Sequence, residues 1–245
     1  SIVHKVTGSS RTFMGEELAG VSAIEIAARR IANGQGEFFL VGAAYNAERI
    51  DVLLNLAIAG HLWRGPHKPV WQRDAEGGGL VTGSMGAFLV LESPEHAMAR
   101  GAKPYAKLVS VLSDRCKRAP GEATENGLRE IETLKPLLGD APVPVISGAS
   151  GAAPITAEER DFLSRLRNDG VAGPVRALTS LIGAGYDATF PALVALAALA
   201  LSRGGFYGSD DPTGFEGGTA GAPERILVNC WGHWRGEGMA LLASV

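Results

Sequence analysis

The sequence has 245 residues, enough for a buried core, and its 46% hydrophobic and 20% charged content is ordinary for a globular protein. Lysine and arginine total 23 against 26 aspartates and glutamates, so the formal net charge of −3 provides no basic surface for nucleic acid or an anionic membrane. We therefore expect a small molecule or another protein as the partner.

The first part of the chain alternates strand and helix patterns. Residues 1–7 are rich in β-branched side chains, which predicts a strand ending at a Gly-Ser-Ser turn. From residue 16 to 33 apolar residues recur at three- and four-residue spacing, and Gly34 follows as a stop, which predicts a helix. Its many small residues predict close packing against other backbone. Residues 38–43 form a continuous apolar run, typical of a strand buried on both faces.

The middle of the chain contains a long polar segment between regular elements. Residues 49–60 are predicted to form a helix, and 63–83 a long loop of the kind that is usually functional or mobile. Strands are predicted at 86–92 and 105–113, with a short helix at 94–100 between them that has proline in its first turn.

The second half repeats the alternation of helices and strands. Helices are predicted at 128–138, 157–167 and, in an Ala-rich run, at about 190–201; strands are predicted at 143–147, 225–229 and 239–245. The Ala-rich run is shorter than the roughly 20 residues that span a bilayer, so we expect no membrane span. Residues 204–221, rich in Gly and Asp, are expected to form a solvated surface loop. This alternation indicates a layered α/β fold.

Cysteine and histidine spacing argues against disulfides and metal sites. Cys116 and Cys230 are far apart and lack CxxC spacing, which favours a reduced, cytoplasmic setting and a structural role for Cys116. The histidines at 4, 61, 67 and 96 show no metal-ligand spacing, so no metal is assigned. The chain starts without Met and without a signal-peptide layout, as expected of a fragment or a processed chain.

Four segments resemble motifs of the β-ketoacyl-ACP synthase family and occur in the family's order. Residues 89–106 contain LVLE, EH and AMARGAKPYA, similar to the family's LVLE…EHAxxRGAxxYA pattern. Residues 19–31 are similar to the helix after the nucleophile, and 39–44 to the strand that follows it. Residues 229–233, NCWGH, resemble the terminal NSFGFGG turn.

The resemblance implies the thiolase fold, a layered αβαβα architecture, covered here from the nucleophile strand onward. The chain would then correspond to the C-terminal three-fifths of a synthase. Residues 1–110 would complete the first thiolase-like half, and 111–245 would form the second half. The elements that precede the nucleophile strand are expected to come from a separate or cleaved chain.

The same resemblance places other residues where the family has its Cys-His-His triad. Glu17 falls at the cysteine, Gly148 and Leu181 fall at the two histidines, and Arg176 falls at the lysine near the second histidine. A carboxylate at a helix start keeps the favourable dipole interaction but is too weak a nucleophile for acyl transfer. Glycine and leucine cannot replace the histidines that hold the thioester oxygen. Condensing activity is therefore expected to be lost.

Two further positions depart from the family pattern. Ser84 stands at the acidic residue of the GEGAG-type loop, and His233 stands at the aromatic gate of the terminal turn. His233 and Trp231 are the predicted binding residues, and we expect the His233 imidazole to be packed and hydrogen-bonded beside Trp231 and Trp234.

The resemblance implies a ketosynthase-like subunit without its own triad that pairs with an active ketosynthase, as chain-length factors do. An acyl carrier protein would present its phosphopantetheine thioester as substrate carrier, with no further cofactor, and the assembly would be a homodimer or a heterodimer. Two alternatives remain. One is a rewired acyltransferase that uses Glu17 or an N-terminal Ser1; the other is a stand-alone acyl-binding protein.

Overall fold

The computed structural model describes residues 8–245, and the strand predicted at residues 1–7 lies outside them. The helices are α1 (Glu17–Ala32), α2 (Ile50–Ile58), α3 (Val70–Ala75), α4 (Pro94–Ala99), α5 (Glu122–Leu138), α6 (Ile155–Asn168), α7 (Thr179–Ile182) and α8 (Thr189–Arg203), with a 3-10 helix at Tyr186–Ala188. The strands are β1 (Phe38–Tyr45), β2 (Met85–Glu92), β3 (Lys107–Asp114), β4 (Val143–Ser147), β5 (Ala172–Ala177), β6 (Arg225–Trp231) and β7 (Glu237–Ala243).

A five-stranded mixed sheet organises most of the chain, in the order β3-β7-β6-β4-β5. Strand β4 runs parallel to β5 and β6, whereas β7 is antiparallel to β6 and β3. Successive residues of its central strands enter two different cores: Val145 and Leu227 face the core formed with α5 and α6, and Ile146 and Val228 face the core formed with α1 and α8. Burial on both faces explains why these strands are continuously apolar. The layered α/β prediction is confirmed.

Helix α1 packs unusually close to its neighbours because glycine occupies the contacts. A Cβ atom at Gly20 would collide with the carbonyl oxygen of Asp187 and lie 2.7 Å from Cδ of Pro191. On the sheet side, a Cβ atom at Gly238 of β7 would lie 2.5 Å from Cγ1 of Val21. The predicted close approach of this small-sided helix is confirmed, and it fixes where the start of α1 lies relative to β7.

Strands β1 and β2 form a separate antiparallel pair. Only one face of this pair packs against the core formed with α1 and α8. Leu40 lies opposite Val90, and Gly42 lies opposite Phe88. The face that carries Val41 packs into the core with α1 and α8, whereas Phe38, Leu40, Phe88 and Val90 on the other face are between 57% and 70% exposed. The prediction that residues 38–43 are buried on both faces is therefore wrong for the described part of the chain, where no element covers this second face.

Several boundaries differ from the predicted ones. The predicted loop at 63–83 contains α3, whose Val70 and Trp71 are buried; β5 and α7 were not predicted, and α5 begins at Glu122 rather than near Leu128. The segment 204–221 has no helix or strand, but it is not simply solvated. Glu216 is buried and accepts hydrogen bonds from Trp71 Nε1 at 2.9 Å and from the amide of Ala177 at 2.7 Å.

The predicted boundary between residues 110 and 111 falls inside β3, which belongs to the five-stranded sheet. Among the described helices, none is long and apolar enough to cross a membrane.

Candidate functional site

The first turn of α1 meets the turn that joins β6 to β7. Glu17 is the first residue of α1 and only 3% exposed, and its Oε2 accepts a hydrogen bond of 3.2 Å from the amide of His233. The preceding Glu16 makes the equivalent contact with the amide of Trp234, also at 3.2 Å. Two neighbouring carboxylates therefore hold two neighbouring N–H groups of the turn.

Burial dominates the ionisation of Glu17. Desolvation raises the pKa of the Glu17 carboxyl to about 7, against the opposing effect of the N–H groups of Glu17 itself and His233. The nearby Glu16 carboxylate raises this pKa further, and Arg118 lowers it. At neutral pH the group is therefore divided between a carboxylic acid and a carboxylate. It can accept or donate a hydrogen bond, but it is a poor nucleophile towards a thioester.

Arg118 fixes the shape of the β6–β7 turn. Its Nη2 donates to the carbonyls of Gly232 at 2.5 Å and Gly236 at 3.1 Å, while Nη1 pairs with the fully buried carboxylate of Glu237. Glu237 also accepts a 2.6 Å hydrogen bond from Asn126 Nδ2. The turn closes on itself through the Gly232 amide, which donates to the Gly236 carbonyl at 2.8 Å. This network aims the amide of His233 at Glu17.

The His233 side chain lies in an aromatic cluster instead of a hydrogen-bond network. Its ring packs edge-on against His61, with 4.4 Å between centroids, and against Trp234 at 4.9 Å. Both ring nitrogens are buried and have no hydrogen-bond partner among residues 8–245. Burial, with smaller effects from His61 and Arg118, lowers the pKa of His233 to about 4. The imidazole is therefore neutral near pH 7, and the predicted hydrogen bonding of this residue is not found, although its packing is.

Gly148 lies against Cys230, which fills the space beside it. A Cβ atom at position 148 would lie 2.7 Å from Sγ of Cys230 and 3.1 Å from Cδ1 of Leu193. Burial, together with the nearby Glu17 and Glu159 carboxyl groups, raises the pKa of the Cys230 thiol well above its ordinary value. The thiol is therefore protonated and unreactive. The place where the resemblance puts the first histidine has no room for a larger side chain.

Glu159 is a buried acidic group that the sequence analysis did not single out. Its Oε1 accepts hydrogen bonds from Ser147 Oγ at 2.8 Å and from Asn229 Nδ2 at 2.7 Å. Burial raises the pKa of Glu159 to about 7, and these two donors lower it only in part. Its burial could have been predicted from the sequence, because Glu159 lies four residues after Ile155 and three before Phe162 and so falls on the same buried face of α6.

A buried arginine supports the loop that follows Gly148. Arg73 of α3 is almost fully buried and donates hydrogen bonds to the carbonyl oxygens of Lys68, Gly79 and Ser150. Desolvation lowers the pKa of Arg73 to about 10, so the guanidinium stays charged at neutral pH. Thr179 Oγ1 holds the same loop by donating to the carbonyl of Ala149 at 2.5 Å. The loop is therefore anchored from two sides.

Three of the predicted site residues do not join this site. Arg176 is a residue of β5, and its guanidinium donates to the carbonyls of Tyr207, Glu216 and Gly218 in the segment 204–221. Leu181 is 67% exposed, because α7 turns it outward. Trp231 points to the opposite face of β6 from Cys230 and packs on Phe162 in the core, with 4.9 Å between ring centroids.

Two further predicted positions are structural. Ser84 Oγ is exposed and accepts a 2.9 Å hydrogen bond from the amide of Ala47. Cys116 is half-buried, and its Sγ lies 3.4 Å from Oε1 of Glu237 and 3.2 Å from Nη1 of Arg118. Within residues 8–245, no three His, Cys, Asp or Glu side chains converge as a set of metal ligands.

Comparison with known proteins identifies the fold. No protein-family model matches the chain. The 3-oxoacyl-[acyl-carrier-protein] synthase 2 of Rhizobium meliloti is 33% identical over 113 residues, which cover 44% of this chain and 27% of that protein. The resemblance to ketosynthases that the motifs indicate is thus confirmed at the level of sequence over this part of the chain.

Solved structures that resemble this chain include ketosynthases. A type II polyketide synthase acyl-carrier protein in complex with its ketosynthase matches with a TM-score of 0.80 and 21% identity, covering 97% of this chain and 63% of that one. A β-ketoacyl synthase from Burkholderia phymatum gives a TM-score of 0.77 at 21% identity, with 95% and 61% covered. The ishigamide ketosynthase/chain length factor gives 0.73 at 19%, with 92% and 58% covered. The chain has the thiolase fold of these proteins and spans less than two-thirds of their length.

The raised pKa of Glu17 predicts a pH-dependent stability. A carboxyl whose pKa rises from 4.5 to about 7 on folding stabilises the protein fully below pH 4.5, and this contribution is lost as the pH rises through 7. Replacing Glu17→Gln keeps an acceptor for the His233 amide but removes the charge. We expect the loss of unfolding free energy between pH 5 and pH 8 to be smaller in this variant by about 2–3 kcal/mol.

Urea unfolding at both pH values measures this difference. The exposed Glu37→Gln variant is the matched control and should behave as the wild type does. If Glu17→Gln and the wild type lose the same free energy over this interval, then the Glu17 carboxyl ionises in the folded protein without a desolvation cost, which would contradict the prediction.

The contact between Gly148 and Cys230 predicts coupled effects on stability. Gly148→Ala should destabilise the protein by about 1–3 kcal/mol because its Cβ would overlap Sγ of Cys230. Cys230→Ala should cost about 1–2 kcal/mol by leaving a small cavity. The double variant should be destabilised by at least about 1 kcal/mol less than the sum of the two, as measured by urea unfolding. Additive effects would show that the two side chains do not compete for space.

Proposed function

We propose that this chain is a ketosynthase-like subunit of fatty acid or polyketide biosynthesis that does not condense acyl thioesters through a triad of its own. The observation that carries the proposal is the buried carboxyl of Glu17 at the start of α1, where its oxygen accepts the amide hydrogen of His233. A thioester carbonyl that approached this helix start would compete with that carboxylate for the same donor. The site is thereby occupied by the protein's own side chain.

The surroundings of Glu17 support the loss of condensation chemistry. Condensation needs an activated nucleophile and groups that hold the oxygen of the malonyl thioester. Here the side chains near Glu17 include a neutral, buried His233 and a protonated Cys230, neither of which is an activated nucleophile. Gly148 offers no side chain, and the exposed Leu181 offers no polar group. A carboxylic acid and a packed imidazole do not supply an acyl-accepting thiolate.

Pairing with another chain is the second part of the proposal, and the uncovered face of the β1–β2 sheet supports it. Phe38, Leu40, Phe88 and Val90 form a contiguous apolar face, and α2 exposes a further stripe at Ile50, Leu54 and Ile58. Exposed apolar patches of this kind usually mark contact surfaces. We propose that an active ketosynthase or a second copy of this chain covers the face, and that an acyl carrier protein delivers the thioester to the assembly.

The activity test uses purified protein with acyl-thioesters and malonyl-thioesters. We expect no condensation product and no steady release of CO2, from the wild type or from Glu17→Cys, because members of a catalytic triad act as a unit and one restored residue does not recover the rate. Product is followed by mass spectrometry and CO2 by isotope release.

Two results would contradict this expectation. Steady CO2 release by the wild type would show that the site is active. An acyl adduct on Glu17 or on Ser1, seen by intact-mass spectrometry after incubation with an acyl thioester, would favour the rewired acyltransferase instead.

The pairing test measures the mass of the protein in solution. The chain itself has a mass of 25.5 kDa, and we expect the wild type to sediment as a larger complex. Leu40→Lys combined with Phe88→Lys should shift it to the single-chain mass, because two charges would be buried in an apolar interface. Leu137→Lys, on the outer face of α5, is the control and should leave the complex intact. A wild type that unfolds cooperatively as a 25.5 kDa monomer would favour the stand-alone acyl-binding protein.

A further inference from the structure

A basic surface cavity, wide open to solvent, lies at the end of α1 that is remote from Glu17. It has a volume of about 420 Å³ and is lined by Arg11, Ile26, Arg29, Arg30, Asn33 and Gln35. Three guanidinium groups and two carboxamides therefore surround one apolar side chain, and no carboxylate is part of the lining. This concentration of positive charge is local, because the whole chain carries a net charge of −3.

Each of the three arginines is positioned by a contact outside the cavity. Arg29 pairs with Glu25 at 2.6 Å, and Glu25 also accepts a 2.7 Å hydrogen bond from Ser113 Oγ. Arg30 donates to Ser9 Oγ at 3.2 Å and lies over the ring of Phe39, 5.1 Å from its centroid.

Arg11 is held in a similar way by an aromatic ring. Its guanidinium lies over Phe13, 5.3 Å from the ring centroid. A guanidinium has five N–H donors, and the contacts of the three arginines within residues 8–245 leave most of these donors unpaired. Arg30 is half-buried and Arg11 and Arg29 are exposed, and a contact that restricts a surface side chain reduces the freedom it loses on binding an anion.

The charges of the cavity match a doubly charged anion. Three guanidinium groups and the one paired carboxylate, Glu25, leave an excess of about two positive charges. The planar N–H fork of arginine fits the oxygens of a phosphate group in a bidentate way. The Asn33 and Gln35 amides add neutral donors, and Ile26 offers an apolar contact to whatever carries the phosphate.

We propose that this cavity binds the phosphate group of a small organic phosphate monoester. The volume leaves room for an organic group beyond the phosphate, and Ile26 would contact that group. The proposal concerns a site at the opposite end of α1 from the Glu17 site, and it does not depend on whether the chain takes part in acyl chemistry. A failure of the condensation or pairing tests would therefore leave it standing.

Titration with inorganic phosphate tests the site directly. The purified protein is titrated at pH 8 and constant ionic strength, and binding is followed by the line width of the phosphorus NMR signal. We expect saturable binding, weakened about tenfold by Arg30→Gln and by Arg11→Gln, since each removes charge-assisted hydrogen bonds. Arg203→Gln removes the same charge from the exposed end of α8 and is the matched control, which should bind as the wild type does.

Two outcomes would overturn the proposal. The first is the absence of saturable broadening in the wild type. The second is an equal loss of binding in Arg203→Gln and in the two cavity variants, because this would reflect the net charge of the protein and not a formed site. Circular dichroism of each variant, expected to match the wild type, verifies that lost binding is not lost folding.

Discussion

The buried ion pair between Arg118 and Glu237 is the interaction on which the site geometry depends. Glu237 is fully buried at the start of β7, and Arg118 reaches it from the segment between β3 and α5. An isolated pair of this kind offers little net stability, but removing one partner leaves a buried charge and typically costs 3–5 kcal/mol. Most of the remaining donors and acceptors are used as well, by Asn126 and by the carbonyls of Gly232 and Gly236, whereas the buried Arg118 Nε has no hydrogen-bond partner among residues 8–245. The pair thus joins β7, the β6–β7 turn and α5 into one unit.

That unit determines what Glu17 can do. A helix start and a turn amide both favour a carboxylate, yet the pKa of Glu17 is raised to about 7, so desolvation outweighs them. Glu159, whose carboxyl also raises the pKa of the Cys230 thiol, shows the same balance, because burial again outweighs two hydrogen bonds. Two carboxyl groups and a protonated thiol are thus buried near one another. Such burial favours protonated, neutral groups and opposes the thiolate that acyl transfer requires.

The regular, long elements could be predicted from the sequence because their patterns are local. The helix at 16–33 and the strand at 143–147 have clear periodicity and stops, and the structure has α1 and β4 there. Strand β5 was missed because Gly173, Pro174 and Arg176 interrupt its apolar pattern, although neighbouring β4 supplies its hydrogen bonds. The exposed face of β1 could not be predicted, since an apolar run does not reveal how many elements cover it.

The candidate site was predictable only in part, for a related reason. Motif resemblance pointed to both Glu17 and His233. The structure adds the hydrogen bond from the His233 amide to the Glu17 carboxyl. The positions of Arg176 and Leu181 depend on where β5 ends. The position of Trp231 depends on which face of β6 it occupies. A shift of one residue in a strand reverses its side chains. Cys230 and Trp231 illustrate this, because adjacent residues enter opposite cores.

The two sheets differ in how completely residues 8–245 cover them, and the Glu17 site lies on the sheet that is covered on both faces. The five-stranded sheet has helices on both faces, so α1 and the β6–β7 turn are positioned by the chain's own core. The β1–β2 pair has one apolar face exposed, which costs free energy in water. A polypeptide that covered this face would remove that cost without rebuilding the contact between Glu17 and His233. The contact between the Glu17 carboxyl and the His233 amide is therefore built by this chain's own core and does not depend on what covers the β1–β2 face.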